Sequence, residues 1–255
     1  MNASLIIAGL SIGTLVGLTG VGGGSLMTPL LVYMGLDPMV AIGTDLLYSL
    51  PTKLFGWFLH SKQRSVRLDI VKPLCIGGIP AALVGLGLLS IASRYIDIKI
   101  LETWMRHAIG VSVVLSALMI IVSPFILRRN RTAGTAAPPL NNARLTMIGA
   151  IVGFMVSITS IGSGAVALPL LVLCLPGIGL AELVGTDIAF AVILVFVSVI
   201  GHLKMGHVNT AVTVQLLMGS LVGVFLGTKL CRVLAQQWLR PALALVLVVA
   251  GSRLI

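Results

Sequence analysis

The chain has 255 residues, a mean hydropathy of +1.13, 58% apolar residues and only 9% charged ones. Soluble domains carry about 25% charged residues, so a soluble globule is excluded and the composition is that of an all-α polytopic membrane protein. The net charge of +10 would suit a nucleic-acid binder, but the basic residues gather between apolar segments, as in Lys62, Arg64 and Arg67 or Arg128, Arg129, Arg131 and Arg144, which is the positive-inside pattern and argues for no nucleic acid.

A helix needs about 18 or more consecutive apolar residues to cross the hydrocarbon, and about eight such segments follow one another here. No strand alternation long enough for a barrel occurs. The N-terminus, Met1-Asn2-Ala3-Ser4, has no basic region ahead of a short apolar stretch, so the first segment is expected to be kept. Segment 1, residues 3–34, is too long for one crossing. Four glycines in the five positions 20–24 interrupt it, and Pro29-Leu30-Leu31 follows. Gly9, Gly13 and Gly17 recur every four residues and give a smooth stripe on which another helix can lie closely. Segment 2 spans 39–59 and segment 3 spans 71–91, the latter with a small-residue stripe at Gly77, Ala81 and Gly85. Residues 94–106 read as a charged connection with Trp104 as an interface anchor, and segment 4 covers 107–127. The polar, low-complexity stretch 128–144 reads as a linker.

The plan then repeats. Segment 5 (145–175), segment 6 (183–202), segment 7 (208–230) and segment 8 (239–254) form a second half, so residues 1–127 and 145–255 are two homologous four-segment repeats. Pro29 and Pro169 lie 140 positions apart, and the same offset pairs Gly9 with Gly149, Gly13 with Gly153, Gly22 with Gly162 and Gly24 with Gly164. Further on the offset is 142 and pairs Gly43-Thr44-Asp45 with Gly185-Thr186-Asp187, His60 with His202 and Gly77 with Gly219. If all eight segments cross, the halves are parallel, with nine Lys/Arg on one side against six; if segments 1 and 5 fold back at their glycines, the halves are inverted and the counts are ten against five.

Two matched interruptions of membrane segments point to a secondary transporter with its site near the midplane. Broken backbone survives in a bilayer only where protein shelters it or it lines a cavity. The amides of Gly22, Gly23, Gly24 and Ser25 open the second half-helix and would favour an anion, as would Gly162, Ser163 and Gly164 in the other half. The plainer reading is that these glycines only permit tight packing. On segment 2, Asp45, Ser49, Lys53, Gly56 and His60 share one broad helical side. Lys53 is the deepest cation and suits an anion-facing role, with snorkelling or pairing to Asp45 as the structural alternative. Segment 6 keeps Asp187, Ser198 and His202 but has Val195 where Lys53 stands. Asp45 and Asp187 are candidates for proton or cation coupling, or else helix-start carboxylates; His60 and His202 are candidates for gates or relays, or else interfacial histidines. Cys75, Cys174 and Cys231 show no ligand spacing and read as packing residues. Neither a dinucleotide fingerprint nor a P-loop is present, and no metal or other cofactor is implied.

Gly20-x-Gly22-Gly23-Gly24 followed by Pro29-Leu30-Leu31, then Ala41-x-Gly43-Thr44 and a weaker second copy, resembles the sulfite exporter (TauE/SafE) family, also called the toluenesulfonate uptake permease family. The resemblance spans nearly the whole chain. It implies a multi-pass inner-membrane carrier of a small anion such as sulfite, thiosulfate, a sulfonate or an organic acid, with Gly22, Gly23, Gly24 and Pro29, and Gly162, Gly164 and Pro169, as its glycine-proline elements. The second copy departs from the pattern with Ser160 and Ser163 in place of glycines, and Asp45 and Asp187 stand where a small or hydroxylated residue is more usual. The expectation is therefore a secondary anion transporter working by alternating access, without catalytic residues, in contact with lipid and open to homo-oligomer formation. An intramembrane enzyme and a non-transporting scaffold are the competing classes.

Overall fold

The structure is a computed structural model that describes residues 3–19, 23–132, 140–230 and 236–255. These form ten helices: α1 (Ala3–Thr19), α2 (Gly24–Tyr33), α3 (Pro38–Lys62), α4 (Leu68–Tyr95), α5 (Ile98–Thr132), α6 (Asn142–Thr159), α7 (Ala167–Cys174), α8 (Leu180–Lys204), α9 (Thr210–Leu230) and α10 (Gln236–Ser252). No strand occurs among the described residues. Five helices are long and apolar enough to cross a membrane: α4, α5 up to Ser123, α6, α8 and α9 up to Gly227. Outward-facing Leu83, Val84, Leu88 and Ile91 on α4, and Val214, Met218, Leu221 and Phe225 on α9, form apolar faces of the kind that lipid solvates and water does not.

Segments 1 and 5 each yield a longer and a shorter helix. α2 has 10 residues and α7 has 8, so at 1.5 Å per residue they reach about 15 and 12 Å, half the hydrocarbon at most. Between α6 and α7 the chain turns through Ser160 at φ 62°, Gly162 at φ 144° and Gly164 at φ 83°. The two glycines take up backbone that a side chain would strain, and Ser160 closes α6 in the left-handed conformation, its amide bonded to the Val156 carbonyl.

One expectation is corrected. Residues 94–106 are not a connection: only Ile96 and Asp97 separate α4 from α5. Asp97 Oδ1 accepts the Lys99 amide at 2.8 Å and so stabilises the first turn, while Leu101, Met105 and Ile109 recur every four residues as a buried stripe. The charged residues that suggested a loop occupy the other side of that helix.

The halves are held together by backbone-close contacts that come in reciprocal pairs. A methyl group at Gly9 or Gly13 of α1 would strike the backbone of α9 at Leu216 or Ser220, and one at Gly149 or Gly153 of α6 would strike α4 at Leu74 or Gly78. In return, Gly219 of α9 lies on the Ile6 carbonyl and Gly77 of α4 on that of Thr146. In lipid, helices associate through such dispersion-rich approaches, because burial of apolar surface gives little advantage there. Leu216 and Ser220 are the repeat counterparts of Leu74 and Gly78, so both contacts are one contact made twice.

The registers also fix directions. Residues 9 and 13 of α1 meet 216 and 220 of α9, so these two run parallel; 77 and 85 of α4 meet 146 and 157 of α6, with the same result. α3 runs with α9, since Thr44 meets Asn209 and Tyr48 meets Ser220. It runs against α8, since Gly43 meets His202 and Gly56 meets Ile188. α8 runs with α4, through Thr186 on Arg67 and Gly201 on Leu86. Thus α1, α3 and α9 point one way, and α4, α6 and α8 the other. Because α1 and α3 point alike, α2 must return the chain, and Gly23 beside Tyr48 with Thr28 beside Asp45 shows it doing so.

Gly149→Ala is expected to destabilise the protein by about 1–3 kcal/mol, because Leu74 backbone cannot yield as a side chain can. Gly87→Ala, on an exposed helical face with nothing within 4 Å, is expected to be neutral or to stabilise by up to about 1 kcal/mol. Thermal unfolding of both variants in detergent checks the contrast.

Candidate functional site

The innermost turn of α2, the 160–166 break and the middles of α3 and α8 converge on one buried polar cluster. Asp45 is fully buried on α3. Its Oδ2 accepts hydrogen bonds from Thr28 Oγ1 of α2 at 2.6 Å and from Ser160 Oγ of the opposite half at 2.7 Å. Gly24, at the start of α2, lies so near that a methyl group there would come within 2.7 Å of the Ser160 carbonyl and 3.3 Å of Asp45 Oδ2. Asp45 therefore ties α2 to the second break.

Asp187 takes the corresponding place on α8 and is equally hidden, at 4% exposure. Its surroundings differ. The positions matching Thr28 and Ser160 are Leu168 and Gly20, so neither hydroxyl donor exists. The groups that act on it are the Lys53 ammonium and the Gly164 backbone amide, which hydrogen-bonds to it. Asp45 Oδ1 and Asp187 Oδ1 are both buried without a hydrogen-bond partner.

Lys53 reaches across from α3 and donates to Ser163 Oγ in the second break. Both aspartates act on it electrostatically, yet among the described residues the ion pairs within 4.0 Å are those of Arg67 with Asp69 and Glu182. In place of the alternative Asp45–Lys53 pair, both residues make hydroxyl contacts. Lys53 as a whole residue is half-buried, and both aspartates are buried.

The glycine motifs divide into two tasks. Gly22 lies outside the described residues. Gly23 sets the first turn of α2, its carbonyl accepting the Met27 amide at 2.8 Å, and sits beside Tyr48. Gly162 backs onto Val156 and Met155 of α6, so its role is the turn, while Ser163 and Gly164 face the cluster. Ser25 is buried in the first turn of α2. The reading of Asp45 and Asp187 as helix-start carboxylates is overturned: α3 begins at Pro38 and α8 at Leu180, which puts each aspartate two turns inside its helix.

Gly43-Thr44 and Gly185-Thr186 have a separate use. Gly43 admits the His207 carbonyl and Thr44 Oγ1 accepts the Asn209 amide at 3.0 Å; Gly185 admits the Ser65 carbonyl and Thr186 Oγ1 accepts the Arg67 amide at 3.0 Å. Each motif holds the loop of the opposite half against its own helix. The two histidines lie under these loops, away from the central cluster. His60 Nδ1 contacts Ser65 Oγ at 2.9 Å, and buried His202 contacts the Ser157 carbonyl through Nε2 at 3.0 Å. In those loops, burial holds the His207 imidazole below its ordinary range despite the pull of Asp37, and hydrogen bonding to Asp69 raises Arg67 further above its own.

Thr28, Ser160, Tyr48 and Ser220 were not among the sequence-derived site residues. Tyr48 Oη and Ser220 Oγ lie 2.5 Å apart, whereas in the other half Phe190 packs on Gly78. The signal available for Thr28 was a hydroxyl in an otherwise apolar half-helix, and for Ser160 a serine at a glycine position of the repeat. A recess of about 300 Å³ at the outer ends of α6 and α7, lined by Asn141, Arg144, Cys174 and Pro176 among others, contains none of the buried polar residues and is separate from the site.

A helical chain with five membrane-length helices, two half-length helices and a buried cluster of ionisable side chains fits a multi-pass membrane protein with a polar centre. The family model described as Sulfite exporter TauE/SafE matches residues 5–254, and the chain belongs to that family of membrane transporters. It is 39% identical over 257 residues, covering all of both chains, to the "Probable membrane transporter protein YjnA" of Bacillus subtilis (strain 168). Two further proteins of that organism, the probable membrane transporter proteins YunE and YdhB, are each 24% identical, over 98% of this chain and 96% and 99% of their own. No solved structure matches the chain.

Thr28→Val and Ser160→Ala each remove one donor from a buried carboxylate oxygen. Each is expected to cost about 1.5–3 kcal/mol in thermal unfolding, and the double variant less than the sum, because both donors serve one atom.

Proposed function

We propose that the protein is a secondary carrier of a small anion, with sulfite, thiosulfate, a sulfonate or a related organic acid as the substrate class, bound between the two breaks beside Lys53. The observation that carries this reading is the Lys53 contact itself: an ammonium at membrane depth, donated to Ser163 of the opposite half, with no carboxylate at ion-pair distance. Ionisable groups at that depth usually mark a pathway. An incoming oxyanion can accept from Lys53, Ser163 and the amides about Gly164, and at α2 it meets the positive end of a half-helix near Gly23 and Gly24. The family description and the relatives named as probable membrane transporters support carriage, and the sulfite of the family description supports the anion class.

On this reading residues 1–127 and 145–255 are inverted repeats joined by the linker 128–144, with α1–α2 and α6–α7 as re-entrant hairpins in the inner membrane. The opposed directions of α3 and α8 and the reciprocal glycine contacts support the inversion. Alternating access then consists of one half rocking on the other. The Gly-Thr latches open and close in turn at the two ends, with the Arg67–Glu182 pair, at 3.5 Å, adding to one end only, and the central cluster opens to alternate faces. The buried aspartates of the cluster supply the coupling group, and His60 and His202 support the loops that close the ends.

Purified protein in vesicles is expected to take up labelled sulfite, thiosulfate or a sulfonate. Lys53→Met should lower the initial rate at least about tenfold with the protein still folded, since it removes the one buried cation of the site. Equal flux in wild type and Lys53→Met would remove Lys53 from the site; turnover of the anion without net movement would point to an enzyme; and no movement of any of the three would exclude this cargo class.

A further inference from the structure

The central cluster holds one ammonium and two carboxylates, so an added anion would leave three negative groups around one positive group in a medium that solvates charge poorly. A carrier that binds an anion there must neutralise one carboxylate or expel it. The two carboxylates are not equally able to do so. Asp45 Oδ2 accepts two hydroxyl hydrogen bonds, at 2.6 and 2.7 Å, from donors on α2 and at the second break. Those donors favour its charged form and hold it in place. Asp187 has neither, because Leu168 and Gly20 stand where the repeat would supply them.

Of the elements packed on α8, α3 brings the charges that act at this point: Lys53 acts on Asp187, and Asp45 on Lys53 in turn. The second break brings the Ser163 hydroxyl and the Gly164 amide. Arg67, at the head of α4 next to Thr186, is held by Asp69 at 2.6 Å and by Glu182 at 3.5 Å. Asp187 Oδ1, like Asp45 Oδ1, is buried without a hydrogen-bond partner, so a proton there displaces no existing bond. Asp187 and an entering anion would also share the same helpers, the Lys53 ammonium and the amides of the break.

We propose that Asp187 is the proton-carrying group of the transport cycle: one proton from the aqueous phase binds its carboxylate as one substrate anion takes its place beside Lys53, and the two cross together. The O–H bond forms at the carboxylate, nothing is oxidised or reduced, and the charge around Lys53 is the same before and after for a monovalent anion. Asp45 stays ionised as the tie between α2 and the second break. The inference rests on the anion-carrier reading above, and two separate quantities test them: anion flux for that reading, protons per anion for this one.

The test uses the full chain in vesicles with a pH-sensitive dye inside, the membrane potential clamped, and whichever of labelled sulfite, thiosulfate or methanesulfonate moves, counting protons beyond those bound by the anion itself. Wild type is expected to carry about one proton per anion, so that methanesulfonate accumulates about tenfold for each pH unit imposed across the membrane. Asp187→Asn is expected to move the anion more slowly, with a proton count near zero and a flat pH profile. Asp187→Glu should retain the count with a shifted profile, and it decides the matter if Asp187→Asn does not fold. Asp45→Asn should lower the rate without altering the count. Anion flux in wild type without proton movement, an Asp187→Asn or Asp187→Glu profile identical to wild type, or loss of coupling in Asp45→Asn instead, would overturn the assignment. If none of the anions moves, the carrier reading fails and the proton assignment fails with it.

Discussion

Polypeptide that stops being helical inside a bilayer must be enclosed by other polypeptide, because hydrocarbon offers its amides and carbonyls nothing. That constraint accounts for most of the arrangement. The second break, residues 160–166, is covered on one side by α6, through Gly162 against Val156 and Met155, and on the other by α3 and α8. α2 ends against the same place. α2 packs on α3 and α5 and also on α10 of the other half, and α7 packs on α6 and α8 and also on α5 of the other half, so each short helix bridges the halves.

Close approach of backbones makes that enclosure possible. Glycines on α1, α4, α6 and α9 allow two helix pairs to lie with carbonyl oxygens where side chains would otherwise be. Dispersion at that separation is favourable without any help from water. The Gly-Thr pairs extend the same device to the ends, where a glycine admits a carbonyl and a threonine hydroxyl accepts the next free amide of the incoming loop. Structural contacts therefore follow the two-fold logic of the duplication closely.

The polar centre does not. Thr28 and Ser160 serve Asp45 alone, Lys53 faces Val195 across the repeat, and Tyr48 with Ser220 is answered by Phe190 with Gly78. A duplicated scaffold with a single cation gives one charged site at the junction instead of two weak ones. It also leaves the two aspartates with different hydrogen-bond partners. Scaffold positions are constrained by geometry that both halves need; central positions are free to differ once the geometry is fixed.

The sequence by itself determined the membrane class, displayed the fixed offset and the matched glycine runs, and singled out Lys53, Asp45 and Asp187 as candidates, because each reading depends on local composition or on spacing along the chain. It misjudged residues 94–106, where charges on one face of α5 concealed the buried stripe of Leu101, Met105 and Ile109. Tertiary structure alone decided the rest. The directions of the helices turn on which glycine meets which carbonyl, and the loop charges are too evenly divided to foretell it. That Asp45 bonds to Thr28 and Ser160 and not to Lys53, and that Lys53 instead reaches Ser163, depends on residues 17, 115 and 110 positions apart. Such partners are brought together by packing between helices, in two of the three cases across the halves, and no periodicity within a single helix encodes them.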